Sequence, residues 1–465
     1  MIPVLLIAIP LVAGILGFFV KKQSKNIAWL ASIATLSVML YSIAFTTGNA
    51  SFTYNWLPSL GAQFSVGLNG LGNILCLLTA FAFPIIFVGT SERKYNNEAS
   101  FFALMMLSQA GLMGVFVAMD GLLFYFFWEL ALIPVYFLCS MWGGQKRIAA
   151  TFKFFIYTFV GSLFMLIALI YLSTKTEGGS YALTDLYNLN LSLKEQNWIF
   201  VLLFVAFAIK MPIFPLHTWQ PQAYNQAPTT VTAVLSGVMV KMGLLGVLRW
   251  LLPIVPNAAH AAANTVMVFS IIGILYASLI AIRQNNIKRL IAYSSIAHIG
   301  LMCATLFTFN QQGTQGVIIQ LFSHGVNIIG LWICVDIIER KTGIKKLDEL
   351  GGLAKVAPSM AIFFVIIALA NIALPLTNAF VGEFLMFNAL FQYNVWAAVF
   401  AGIGIILAAV YTLGMVQKVL YGSTNAATQN VTDISINEKG ALAIIVLFIL
   451  LVGIYSTPMF NIINK

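Results

Sequence analysis

Fourteen runs of roughly twenty apolar residues follow one another through this 465-residue chain, and no other feature restricts its folding so severely. They lie near residues 2–20, 27–46, 70–89, 100–118, 121–141, 153–173, 197–219, 228–251, 264–282, 288–309, 314–338, 359–392, 395–420 and 440–459. Backbone in hydrocarbon must satisfy its own N–H and C=O groups, so runs of this length predict membrane-spanning α-helices. With 60% hydrophobic and only 8% charged residues, the composition points the same way. The expectation is an all-α polytopic membrane protein, one transmembrane domain over residues 1–465. Within it, 1–98 carries three N-terminal helices, 99–251 a first set of five, 264–420 a second set of five, and 440–459 a last helix. The run from Ile2 to Val20 lacks a basic leader and a small-residue cleavage site, and reads as a retained helix. Cys76, Cys139, Cys303 and Cys334 each sit singly in apolar runs, without metal-ligand or redox spacing, which suggests packing roles.

The net charge of +10 raises nucleic acid as a partner, but the placement of the basic residues argues against it. If the amino terminus lies outside, most of the 24 Lys and Arg fall on inner loops and helix ends, from Lys21 and Lys22 to Lys418 and Lys439. Lys210 and Lys241 are intramembrane. Such asymmetry predicts both termini outside, the basic loops cytoplasmic, and the lipid bilayer as the partner of the charge. The polar stretches 47–69 and 173–197 are expected to cover the outer surface.

Two runs are anomalous. The seventh contains Ala206-Phe-Ala-Ile-Lys210-Met-Pro212-Ile-Phe-Pro215-Leu-His217-Thr-Trp219, with the lysine about 20 Å into its run and two prolines just beyond. A lone ammonium is costly in hydrocarbon and proline removes a backbone donor, so a break is expected here. The twelfth, from Ser359 to Gln392, would be about 51 Å long as one straight helix, against a hydrocarbon core of about 30 Å. Asn371-Ile-Ala-Leu-Pro375-Leu-Thr377-Asn378 supplies the place for it to break. Pro215 and Pro375 are separated by an odd number of helices, so their helices cross in opposite directions. That pattern points to two inverted five-helix repeats with broken seventh and twelfth helices.

Six ionisable residues fall well inside the predicted spans: Glu129, Lys210, Lys241, His298, His324 and Glu383. A glutamate and a lysine about 7 Å apart, at an effective dielectric of about 20, attract by roughly 2.4 kcal/mol, enough to decide whether a buried lysine keeps its proton. Approach of Glu129 would hold the proton on Lys210 and separation would release it; the alternative is a static ion pair. Lys241 could take that proton, or could simply bond backbone carbonyls. The histidines suit a relay, although a hydrogen-bonded core role is equally open to each. Glu383 either ends the series or caps the break in the twelfth helix. A metal site is the rival reading, but two lysines are poor company for a cation. Asp336, His217 and His260 read as interfacial and stand outside the series.

Phe127-Trp128-Glu129-Leu130, Lys210-Met-Pro212 with Pro215-Leu-His217-Thr-Trp219, Ala227-Pro228-Thr229, Lys241 and Val381-Gly382-Glu383-Phe384 together resemble the antiporter-like membrane subunits of respiratory complex I. Glutamate at the position of Glu383 favours the M-type branch, since the L and N types typically carry lysine there. The lack of a long lateral helix after the last run also argues against the L type. The resemblance implies a proton-translocating subunit of NADH:quinone oxidoreductase in a bacterial inner membrane, with L-type and N-type subunits as neighbours. It implies Glu129 and Lys210 as coupling pair, Lys241, His298 and His324 as central axis, and Glu383 as terminal site. NADH, FMN, iron-sulfur clusters and quinone would be held by other subunits, with no cofactor in this chain. One departure stands out: where the family often has Trp-Leu-Pro-Asp-Ala-His, this chain reads Trp219-Gln220-Pro221-Gln222-Ala223-Tyr224, without the acid and the histidine. Two other readings remain: an Mrp-type cation/proton antiporter subunit, and a non-transporting subunit that only joins two pumps.

Overall fold

Short polar side chains mark where the apolar runs become helices. In the computed structural model, which describes residues 1–46 and 50–465, Asn69, Asp120, Asn286, Asn310 and Asn394 each accept a hydrogen bond from a first-turn N–H of the helix that follows. These caps satisfy donors that have no partner within the helix. The spans so formed are α1 (Ile2–Phe19), α2 (Ser24–Phe45), α3 (Gly70–Gly89), α4 (Glu98–Val117), α5 (Gly121–Trp142) and α6 (Arg147–Ser173). After them come α7 (Leu193–Lys210), α8 (Gln220–Gln226), α9 (Thr229–Leu251), α10 (Pro256–Arg283), α11 (Ile287–Leu306) and α12 (Gln311–Thr342). The chain ends with α13 (Pro358–Asn371), α14 (Asn378–Tyr393), α15 (Val395–Leu420), α16 (Ile436–Ile454) and α17 (Thr457–Ile463).

Among the described residues, 12 helices are long and apolar enough to cross a membrane. The seventh and twelfth predicted runs are the interrupted ones. The seventh does not extend to Trp219 as one helix: α7 stops at Lys210, a cis Phe214–Pro215 peptide lies in the turns that follow, and α8 resumes at Gln220. Lys210 is therefore the last residue of a half-helix, not the middle of a continuous one. The twelfth run splits into α13 and α14 around Pro375. The eighth is continuous but irregular, with wide π-helical turns at Leu235–Met239 and Gly246–Leu251 on either side of Lys241. Such turns shift the helix face locally and occur often at functional positions.

The outer-loop expectation for 47–69 resolves into an antiparallel hairpin, Ser51–Leu57 with Ala62–Gly67. Thr47, Gly48 and Asn49 lie outside the described residues. Its second strand reaches Ala118 at the end of α4, and Asp120 pairs with Ala182 in the 173–197 stretch, so the two polar segments are tied together. That stretch also holds a short helix, Leu183–Tyr187.

The centre of the molecule is α12, buried along nearly its whole length and packed against α3, α9, α11, α13, α14 and α16. By contrast α1, α6, α10 and α15 turn residues such as Val12, Phe152, Val268 and Ile406 outward, as a lipid-facing surface would. Helices in lipid gain little from apolar burial and associate through close packing of small residues. Here Gly237 of α9 faces Gly325 of α12: a Cβ on Gly325 would come within 2.9 Å of the Gly237 carbonyl. Gly316 of α12 meets Gly382 of α14 in the same way, a Cβ on Gly316 lying 3.0 Å from the Gly382 carbonyl. Both contacts draw a neighbouring helix onto α12 within a turn or two of an ionisable residue.

Candidate functional site

Four of the six ionisable residues predicted from the sequence form a connected row across α9, α12, α11 and α14. The Gly237–Gly325 contact brings Lys241 to His324, and their Nζ and Nδ1 atoms lie 3.0 Å apart. The lysine also donates to the Ser236 carbonyl at 2.7 Å, within the first of the irregular turns of α9. The ring of His324 stands 5.5 Å from that of His298. His298 Nδ1 in turn reaches Glu383 Oε1 at 3.2 Å, and Gln320 Nε2 donates to the same oxygen at 3.2 Å. All four ionisable side chains are buried. Charged or polar groups at such depth are costly and are commonly found paired with one another, as these are. A cavity of about 20 Å³, room for about one water, lies beside His298 and Glu383 and is lined also by Tyr411 and Ile372.

Glu129 and Lys210 stand apart from the row. Glu129 projects from the middle of α5 toward Ser162 and lies within electrostatic range of Lys210. Among the described residues no hydrogen bond or ion pair joins the two, and both Lys210 Nζ and Glu129 Oε1 are buried without a hydrogen-bond partner. The ammonium instead sits 5.4 Å from the ring of Trp128, a cation–π contact, which supplies less than a carboxylate at hydrogen-bond distance would. The end of α7 abuts the Lys241 helix: a Cβ on Gly243 would come within 2.7 Å of the Phe207 carbonyl and 2.8 Å of the Met211 nitrogen. The lysines thus occupy neighbouring elements without touching.

Several polar partners were missed in the sequence because each is unremarkable in isolation. Gln320 lies one turn before His324, so one face of α12 carries both contacts to the row. Ser294 accepts from Asn371 at 3.3 Å and from Tyr411 at 3.1 Å, and Ser236 and Ser295 stand 3.4 Å apart. The expectation of an interfacial Asp336 is corrected: it is buried and paired with Arg93 at 2.6 Å. One turn on, Glu339 gathers Lys288 at 2.8 Å, Lys345 at 3.0 Å and the Thr229 hydroxyl at 2.8 Å. The continuation of α12 to Thr342, beyond the predicted 338, is what carries these acids inward, and Lys288, near the start of α11, is buried with them. His217 is likewise buried rather than at the water interface, packed between Phe214 and Tyr276, whereas His260 is exposed and stacks on Phe309.

Comparison with known proteins fits this geometry. Residues 118–408 match the family described as NADH:quinone oxidoreductase/Mrp antiporter, TM. NADH-quinone oxidoreductase subunit M of Rickettsia prowazekii is 38% identical over 451 residues, covering 95% of this chain and 91% of the relative. A chain of respiratory complex I from Thermus thermophilus with bound NADH superposes with a TM-score of 0.91 at 27% identity, covering 100% of this chain and 98% of that one. A chain of the Mrp complex from Dietzia sp. DQ12-45-1b, at 21% identity and a TM-score of 0.87, covers 100% of this chain and 51% of its own length, a likeness of fold alone. With both broken helices in place and a glutamate, not a lysine, on the second of them, the chain belongs to the NADH:quinone oxidoreductase/Mrp antiporter family and, within it, to the M-type antiporter-like membrane subunits.

Proposed function

We propose that this chain translocates protons as a membrane subunit of an NADH:quinone oxidoreductase, along Lys241, His324, His298 and Glu383, with Glu129 and Lys210 as the element that gates them. The observation that carries this reading is the row itself: two direct contacts, at 3.0 and 3.2 Å, and one pair of rings 5.5 Å apart join four titratable side chains from four helices. Histidine can take a proton at one ring nitrogen and release it at the other, so His324 and His298 can hand protons between Lys241 and Glu383. Lys210 is under-partnered where it stands, so a movement that brings Glu129 closer would bind its proton more tightly and one that separates them would loosen it.

In this reading flavin, iron-sulfur and quinone chemistry belongs to partner subunits and reaches this chain as a movement. The neighbours in the membrane are L-type and N-type subunits, the membrane is a bacterial inner membrane, and both termini face its outer side. The full-length relationship to an M subunit supports this over an Mrp-type antiporter. The test is NADH-driven proton uptake by the assembled complex in liposomes, with NADH oxidation followed in parallel, for wild type and Glu129→Gln. A fall in both with assembly intact is the expected result; persistence of both would make Glu129 structural and remove the gate.

A further inference from the structure

Between the basic end of the molecule and Lys241 lies a set of buried polar groups that the row does not use. The Tyr224 hydroxyl, both amide atoms of Gln220 and Trp332 Nε1 are buried without a hydrogen-bond partner among the described residues. They face one another: the Tyr224 ring stands edge-on to Trp219 and Trp332 at 6.4 and 6.0 Å, and its hydroxyl lies in range of the Gln220 and Ser236 side chains. Ser236 is the residue whose carbonyl accepts Lys241, and its hydroxyl is 3.4 Å from that of Ser295.

The direction is fixed by α9. Thr229, its first residue, is bound by Glu339 in the charged cluster. Ser236 is about 10 Å further along the helix axis, and Lys241 about 7.5 Å beyond that. An orphaned buried polar atom costs about 1–3 kcal/mol, so a row of them in the middle of a packed bundle calls for a reason.

We propose that Gln220, Tyr224 and Ser236 form the proton inlet of this chain, with the Tyr224 hydroxyl passing protons from the basic face toward Lys241. This rests on the reading of Lys241 as a transfer group. A phenol does not titrate near neutral pH. It acts by exchange: the hydroxyl oxygen bonds a proton arriving from the basic side as its own O–H bond breaks toward the Ser236 hydroxyl, whose O–H bond breaks in turn toward Lys241 Nζ once that nitrogen has given its proton to the row, so no charge settles on Tyr224 or Ser236 and no electron moves. Such an inlet is neutral, and Lys241 is the first group of the row to store charge.

The test uses the assembled complex in liposomes, with NADH-driven proton uptake measured in H2O and D2O for Tyr224→Phe, Ser236→Ala, Tyr224→His and Lys241→Met. Tyr224→Phe keeps the ring and its packing. Its expected effect is an uptake about tenfold slower, the factor given by about 1.4 kcal/mol of added barrier, with a larger solvent isotope effect. Tyr224→His is expected to restore uptake relative to Tyr224→Phe and to add a pH dependence in the imidazole range, near 6.5, on top of whatever His298 and His324 give wild type. Should Tyr224→Phe disturb assembly, Ser236→Ala carries the same expectation of slower uptake and a larger isotope effect. Wild-type uptake and isotope effect in the Phe and Ala variants, with Lys241→Met inactive, would overturn the inlet alone. Normal uptake in Lys241→Met would overturn the transfer row and the inlet together.

Discussion

The two broken helices solve the same covalent problem in opposite ways. At the second break, between α13 and α14, the freed backbone is cross-braced: Asn327 donates to the Ala370 carbonyl at 3.1 Å, the Ser323 hydroxyl to the Asn378 carbonyl at 3.2 Å, and the Asn378 amide back to the Ser323 carbonyl at 3.4 Å. Ala373 and Leu376 hold left-handed backbone conformations, φ 56° and 73°, that residues with a Cβ adopt at a cost of about 1–3 kcal/mol each. Such strain persists only where the surroundings enforce it; here α12 holds Ala370 and Asn378 on either side, and Gly453 of α16 lies close against the Leu376 carbonyl. At the first break, after Lys210, the charged group is left without a hydrogen bond. One break is rigid and ends in a paired glutamate; the other holds an ammonium that gains from almost any approaching carboxylate. A gate belongs at the second kind of site, and a fixed terminus at the first.

The largest effect that would test this contrast is on Lys210. Lys210→Met in the assembled complex is expected to lower proton uptake about 100-fold, within the range for loss of a positioned acid–base group, while leaving the thermal stability unchanged or raised. A drop in Tm as large as that of a cross-bracing variant would show the ammonium to be a structural anchor, and the contrast would fail. Glu383→Leu is expected to do both kinds of damage. It removes the end of the row and orphans His298 Nδ1 and Gln320 Nε2, at about 1–3 kcal/mol for each unpaired group. Melting of the purified complex together with uptake in liposomes separates the two.

How much of this was legible beforehand follows from the kind of signal each residue carries. The all-helical membrane architecture, both breaks and the burial of Lys210, Lys241, His298, His324 and Glu383 were readable, because a charge or a proline inside a twenty-residue apolar run conflicts with its surroundings at the level of single residues. The partners were not. Gln320, Ser236 and Ser294 gain their meaning from helices far away in sequence, and serine within an apolar helix signals nothing by itself. Asp336 was misplaced because hydropathy ends a span where charges begin, whereas α12 continues for another turn into a neutralised cluster with Arg93 and Lys288. The π-helical turns flanking Lys241 are set by packing against α7 and α12, which no local pattern reveals.

The smallest expected effect lies outside the membrane, at the start of α13, and asks how far the bracing of the second break extends. Asp433, in the loop before α16, accepts from the Ser359 and Met360 nitrogens at 3.0 and 3.2 Å and so caps the half-helix leading to the break. Burial pushes its carboxyl up, but the Ser359, Met360 and Ile434 donors outweigh this and hold it below the usual range. A depressed folded-state value means that this stabilisation is present above the unfolded value of about 3.9 and is lost as pH falls through the folded one. Asp433→Asn is therefore expected to cost about 0.5 kcal/mol near neutral pH, a figure discounted for solvent screening, with the gap to wild type closing below pH of about 3.9. A gap that stayed constant with pH would assign the cap to hydrogen bonding without charge. A loss of uptake with stability unchanged would show that the second break also responds to its surroundings, and that the two breaks differ in degree rather than in kind.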